Sequence, residues 1–248
     1  MTGPVAVVTG GAGGIGSCIC RALAEAGFRV VVGYNKSGDA ARLLAKSLPG
    51  EDHSAEPAPV KDSAALLQCA HNVEQRYGRC DALVNCAGIT RFVAHHDLDN
   101  LDDALIDDIL ATNVRGAFAS VRAFRPLLEK STLPGGGVIV NLSSAAGSIA
   151  IGSNVIYCAS KAALDNMTKS LARAMAPRIR VVSVAPALVD TEFVKSLDQS
   201  WRDQQAANTP LGRLGTPEEV AATVCAVITT LTFTTGAIIT CDGGRPLK

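Results

Sequence analysis

The sequence carries no net charge: 23 basic and 23 acidic side chains cancel over its 248 residues. Without an excess of either sign there is no electrostatic footprint for nucleic acid or anionic lipid, and neither is expected as a partner. Runs approaching the ~20 apolar residues of a membrane span are also missing. The opening MTGPVAVVTGG has no basic segment leading into an apolar core, so a cytoplasmic protein is expected. The eight cysteines include no Cys-x-x-Cys pair and have no histidines at ligand spacing, which favours reduced thiols serving as small core residues. His95 and His96 are adjacent and point in different directions on any regular element; they predict no metal site and read as loop residues at a substrate entrance. No repeat, low-complexity tract or linker divides the chain, so one domain over 1–248 is expected.

What is present is a chain with 48% hydrophobic and 19% charged residues, arranged as short Val/Ile/Ala runs alternating with longer segments of helical period. That alternation predicts βαβ units around a parallel sheet covered on both faces, an α/β fold of the Rossmann, doubly wound type. Strands are expected near 5–9, 28–34, 54–60, 81–86, 137–143, 179–185 and 236–241. Helices are expected near 15–26, 38–47, 63–77, 101–130 (broken), 155–176 and 217–229. Gly27 and Gly78 mark helix ends, and Thr216-Pro217-Glu218-Glu219 marks a start, with a cap, an N1 proline and acids in the first turn. The third strand contains Pro57 and Pro59, whose missing N–H groups fall on one side. An edge strand tolerates that, and the order 3-2-1-4-5-6-7 puts it at an edge.

After the first strand, VAVVT runs into GGAGGIG and a helix. Glycines there let the backbone turn sharply and present free N–H groups to a pyrophosphate, which marks Gly10, Gly14, Ile15 and Gly16 as cofactor-binding. A dinucleotide site ordinarily shows an acid at the end of the second strand. Here Tyr34 and Asn35 occupy that place, and Lys36 and Ser37 follow with a cation and a hydroxyl suited to a 2′-phosphate. NADP(H) is therefore favoured, with NAD(H) as the alternative.

The segment VNLSSAAGSIAIGSNVIYCASKAAL places Tyr157 and Lys161 four apart on one helix face. A phenol is a poor acid/base near neutrality, and an ammonium within a few ångströms stabilises its ionised form. Ser144, expected at the C-terminal end of the fifth strand, sits where α/β sheets bind ligands and offers a hydroxyl to a substrate oxygen.

With these motifs the sequence resembles the short-chain dehydrogenase/reductase family along nearly its whole length. The family's TGxxxGxG reads Thr9-Gly10 through Gly14-Ile15-Gly16, and its Asn-Asn-Ala-Gly reads Asn85-Cys86-Ala87-Gly88, with cysteine for the second asparagine. Asn113 matches the asparagine that kinks a long helix and holds a relay water, and Pro186 through Val189 and Thr191 resembles the PGxxxT stretch that binds the nicotinamide, with Ala187 for glycine. The resemblance implies hydride transfer between a nicotinamide cofactor and a carbonyl or alcohol, without a metal. Asn113, Ser144, Tyr157 and Lys161 are then the catalytic set. Tyr157 and Lys161, with Asn85, Ala87, Gly88, Pro186, Val189 and Thr191, join the cofactor residues. The motif texture is most similar to 3-oxoacyl-[acyl-carrier-protein] reductases, which favours an acyl-thioester substrate. A dehydrogenase of a sugar, diol or other small alcohol is the alternative, and a nucleotide-binding regulator without turnover is the alternative from another class. A lid is expected over about 187–210, with Trp201, Phe193 and Phe92 near the substrate. The late TGAIITCDGG implies a homo-oligomer, tetramer or dimer.

Overall fold

The computed structural model describes residues 3–247, the side chain of Phe193 excepted. Its seven strands are β1 Val5–Thr9, β2 Arg29–Tyr34, β3 Ser54–Pro57, β4 Ala82–Asn85, β5 Gly137–Leu142, β6 Ile179–Pro186 and β7 Ile238–Cys241. They form one parallel sheet in the order β3-β2-β1-β4-β5-β6-β7. The helices are α1 Gly14–Glu25, α2 Gly38–Ser47, α3 Ser63–Tyr77, α4 Asp103–Leu110, α5 Ala117–Leu128, α6 Ala146–Ile149, α7 Val155–Met175, α8 Glu192–Lys195, α9 Gln199–Ala207 and α10 Pro217–Thr229. None of the helices described is long and apolar enough to cross a membrane.

Strand residues alternate between two cores, as the period of two requires. Ala6, Val8, Val30, Val32, Val138, Val140, Val182 and Val184 pack with α1, α2 and α10. Val5, Val7, Val31, Leu83, Ile139 and Val181 pack with α3, α5 and α7 on the other face. Burial on both faces explains why the strands read as unbroken apolar runs, and each buried Val or Ile contributes about 1.5–3 kcal/mol over an exposed one.

Helix ends follow their signals. Gly78 caps α3 in the left-handed region at φ 69°, its N–H on the Glu74 carbonyl. Thr216 and Glu219 close a reciprocal capping box on α10, with Pro217 in its first turn. β3 corrects the expectation of 54–60: it ends at Pro57, and Asp62 N–H already donates to the Pro59 carbonyl in a turn. Ala58 N–H donates back to Tyr34, so the flanking Pro57 and Pro59 nitrogens face the open side of this edge strand. The long segment expected at 101–130 is three pieces. Between α4 and α5 lies a π-helical stretch, Ala111–Gly116. A Cβ on Gly116 would come within 2.8 Å of a Val60 methyl, so only glycine lets the chain pass there. The 187–210 segment, expected as a lid, contains α8 and α9, and the short α6 follows β5; none of these three helices is among those expected from the sequence.

Candidate active site

The C-terminal ends of β1, β4, β5 and β6 lie side by side, with Thr9 in register with Asn85 and Asn85 with Asn141. Thr9 ties two of them together: its hydroxyl donates to the Val84 carbonyl and accepts from the Cys86 and Ala87 amides. Gly10, at φ 65°, follows directly, and a Cβ there would meet the Ala87 backbone at 3.0 Å. A Cβ on Gly16 would lie 2.3 Å from the Gly10 carbonyl oxygen, so this glycine is required by the turn folding onto itself.

Helix α1 starts from Gly13 with no side-chain cap and no acid in its first turn. The amides of Gly14, Ile15 and Gly16 are its first three and have no acceptor within the helix. Gly13 and Gly14 are exposed, and a Cβ on Gly14 would approach the Thr191 methyl to 3.5 Å. An uncapped positive helix end, floored by glycine and faced by Thr191, fits a pyrophosphate. At the end of β2 the Tyr34 ring lies over the start of α2, and Asn35, Lys36 and Ser37 are exposed, Ser37 making no side-chain cap. Arg42 of α2 reaches the Tyr34 hydroxyl at 3.5 Å and pairs with Asp39 at 2.7 Å. Sequence reasoning missed Arg42, which reaches Tyr34 through space across the start of the helix.

Two residues of the expected cofactor set face inward. The Asn85 side chain is buried in a polar file beneath the sheet, donating to Asn141 Oδ1 at 2.9 Å; Asn141 in turn donates to Thr168, whose hydroxyl pairs with Ser183. The Val189 side chain belongs to the α10 core. Either reaches the cleft through backbone alone. Cys86, in place of the second asparagine, packs against the α1 core. Desolvation pushes its thiol up to about 11 against the pull of the Lys161 charge, so it stays protonated near neutrality.

Tyr157 and Lys161 lie on one face of α7, with the Lys161 ammonium 5.6 Å from the Tyr157 ring centroid. Lys161 is 6% exposed and donates to the Leu142 carbonyl at 2.7 Å. Ser144, just past β5, accepts from Ala146 N–H at 3.2 Å and reaches the Pro186 carbonyl only at 3.5 Å. Asn113 lies in the π-helical stretch and clamps Ile89: its Oδ1 accepts the Ile89 amide at 2.9 Å and its Nδ2 donates to the Ile89 carbonyl at 3.0 Å. The same Nδ2 donates to Ser160 of α7 at 3.1 Å. A Cβ on Gly88 would fall 3.4 Å from Asn113 Oδ1 and 3.7 Å from Lys161 Nζ, so the β4 motif, the π-helical stretch and α7 converge on one point.

The start of α7 depends on Asn154, a residue sequence reasoning passed over. Fully buried, it accepts the Tyr157 amide at 2.6 Å and donates to the Arg91 carbonyl at 2.8 Å. Its place three residues before Tyr157, at the helix start, was the available signal. Ser153 accepts from Val93 N–H by its carbonyl, and the His95 ring bonds the Gly152 carbonyl, so the loops around 90–95 and 150–154 are stitched together. His95, His96 and Phe92 are exposed on that rim, and Trp201 is half-buried on α9.

A glycine turn that fits a pyrophosphate, a buried lysine beside a tyrosine, and a serine at the same sheet edge fit a Rossmann-type oxidoreductase. Comparison with known proteins places it more narrowly. A family model described as "Enoyl-(Acyl carrier protein) reductase" matches residues 10–245. The chain belongs to the short-chain dehydrogenase/reductase family, whose members move a hydride between a nicotinamide cofactor and a carbonyl or hydroxyl group. It is 37% identical over 246 residues to a protein named as ketoacyl reductase 2 of the granaticin polyketide synthase in Streptomyces violaceoruber, covering 98% of this chain and 96% of that one. It is 35% identical over 250 residues to an acetoacetyl-CoA reductase of Cupriavidus necator, covering 98% of each. A solved short-chain dehydrogenase/reductase from Serratia marcescens superposes with a TM-score of 0.88 at 32% identity, covering 98% of each chain.

Proposed function

We propose that the protein is an NADPH-dependent reductase of 3-oxoacyl thioesters, with Tyr157, Ser144, Lys161 and Asn113 as its working residues. The observation that carries this reading is the convergence of Lys161 and Asn113 beside Gly88, with the Tyr157 ring next to the Lys161 ammonium and Ser144 at the neighbouring strand end. A bound nicotinamide would supply the hydride. Tyr157 then delivers a proton from its hydroxyl to the substrate oxygen. Ser144 accepts the Ala146 amide and donates only a long hydrogen bond, to Pro186, so its hydroxyl proton is free to turn to that oxygen and stabilise developing negative charge. Lys161 spends one of its three N–H donors on Leu142, which fixes the ammonium and leaves two for a ribose hydroxyl and the Tyr157 side. Asn113 holds the Ile89 backbone and positions the water that returns the proton. Gly10, Gly14, Ile15, Gly16, Ala87, Gly88, Pro186 and Thr191 line the cofactor.

NADPH over NADH is supported by the absence of an acid at the end of β2 and by two exposed cations nearby, Lys36 two residues past β2 and Arg42 at the Tyr34 hydroxyl. A thioester substrate is supported by the names of the relatives above. A cytoplasmic homo-oligomer, tetramer or dimer, completes the reading.

The test is absorbance at 340 nm with NADPH and a panel of acetoacetyl-CoA, diketones, sugars and diols. Tyr157→Phe is expected to lower kcat/KM by about 10³-fold while leaving nucleotide affinity nearly intact. Wild type and Tyr157→Phe equally silent across the panel, with nucleotide still bound, would remove the enzymatic reading.

A further inference from the structure

Helix α9 is unusual in this molecule because none of its residues is fully buried. Its inward side consists of the half-buried Trp201, Arg202, Gln205 and Ala206. Polar tethers hold it at both ends. Arg245, past β7, bonds the Gln205 side chain and carbonyl. Arg202 donates from Nη2 to Asp190 Oδ1 at 2.8 Å, both side chains being largely covered, at 19% and 28% exposure. Its Nη1 donates to Gln199 at 2.8 Å, and its Nε is buried with no acceptor among the described residues, so the guanidinium is held through its two Nη groups.

Asp190 belongs to the stretch that meets both Ser144 and the glycine turn before α1. Pro186, four residues earlier, gives its carbonyl to Ser144 and to Ala145 N–H. Thr191, one residue later, caps α8 and faces Gly14 of the cofactor turn. Val189 bridges to Gly215, and Asp190 N–H donates to the Gly215 carbonyl, so the backbone of this stretch is fixed on its other side. The Asp190 carboxylate is therefore where a movement of α9 reaches a rigid strip bearing both Ser144 and Thr191.

We infer that Asp190 and Arg202 are positioning residues: their ion pair latches α9 onto the 186–191 stretch, so that the lid and the nicotinamide-facing strip hold one arrangement. This rests on the nucleotide reading of the site. A covered ion pair with committed donors is the kind of contact whose loss is felt by both elements, whereas the exposed Lys195–Glu192 pair on α8 contributes little.

The chain's one tryptophan, Trp201, stands beside Arg202 and reports on the lid. Excited at 295 nm, wild-type emission is expected to shift on titration with NADP⁺. In Arg202→Met and Asp190→Asn the shift is lost or needs about tenfold more nucleotide, and KM for acetoacetyl-CoA rises about tenfold with kcat within twofold. The reversed pair, Asp190→Arg with Arg202→Asp, recovers most of both. A wild-type shift and KM in Arg202→Met would overturn the latch. Trypsin cleavage after the exposed Lys195 in nucleotide-free protein separates this from the parent reading: Asp190→Asn keeps every tryptic site and is expected to be cut there about tenfold faster. If no nucleotide binds, the reading of the site falls. Equal cleavage of wild type and Asp190→Asn overturns the latch independently.

Discussion

The two edges of the sheet treat charge in opposite ways. At the N-terminal edge the buried charges, Asp81 and Arg180, are surrounded by their own partners. Asp81, with no exposed surface, accepts from Val5 N–H, from Ser131, and twice from Arg79. Arg180, 6% exposed, donates to the carbonyls of Val227, Ile228, Leu231 and Thr234 at and beyond the end of α10, where a helix dipole favours a cation. Arg29 and Arg76 flank the Tyr77 ring and share the Asp52 carboxylate. At the C-terminal edge donors are left over: the α1 amides lack acceptors, Lys161 has one carbonyl, and Ser144 has a long bond. One edge satisfies most of its valences, the buried Arg180 Nε excepted among the described residues, and holds the strands in register. The other keeps them open, and open valences at a fixed position are what binding a ligand requires.

Substitutions should therefore separate stability from activity by edge. The largest effect on folding is expected from Asp81→Ala, which strands Arg79 and the Val5 amide; urea unfolding should lose about 3 kcal/mol, with turnover per folded molecule unchanged. A comparable loss of turnover would show that the edges are mechanically coupled. The same carboxylate sets a pH limb. Burial alone would raise its pKa, but the Arg79, Ser131 and Val5 hydrogen bonds outweigh burial and hold it below the usual carboxylate value. Its contribution is thus full above the unfolded pKa of about 4 and is lost as pH falls through the lower folded value. Urea melts at pH 5, 4 and 3 should show this loss in wild type and less of it in Asp81→Asn.

Ser144→Ala is the converse at the open edge. Its kcat/KM should fall about 10²-fold, with the melting temperature nearly unchanged, because its hydroxyl holds only two weak bonds in the fold. A drop in melting temperature of several degrees would mean that the hydroxyl serves the β5–β6 junction more than the substrate.

The sheet was legible where a physical pattern was local, whereas the buried charges of its N-terminal edge, Asp81 and Arg180, carry no such pattern. Strands buried on both faces announce themselves as apolar runs, and even the conflict posed by Pro57 and Pro59 pointed correctly to an edge strand. Tyr157 and Lys161 were legible because helical spacing alone makes them neighbours. The helices within 187–210 were not: α8 has four residues, and α9 is polar and buries no residue fully, so neither offers an apolar stripe to read. Arg42, Asp190 and Arg202 act through contacts between separate segments, which spacing cannot reveal. Asn85 shows the reverse limit. Its motif was recognised, but its side chain bonds Asn141 beneath the sheet, because residues at a strand end alternate between faces like those in its middle.

The smallest expected effect sharpens the comparison at the outer limit of the open edge. Lys36 is exposed and has no carboxylate partner among the described residues, whereas Arg42, near the same place, is already paired with Asp39. An exposed cation gains little from a phosphate in water, so Lys36→Ala should lower the NADPH/NADH ratio of kcat/KM by only about fivefold. Arg42→Ala should lower it less, since Asp39 competes for the guanidinium. Removing Asp39 as Asp39→Asn frees that guanidinium and should move the ratio back toward NADPH. Steady-state kinetics with both nucleotides decide the matter: a ratio unmoved by Lys36→Ala takes this lysine out of the site, and a ratio that responds to Arg42 instead places the 2′-phosphate against α2, where Arg42 meets the Tyr34 hydroxyl.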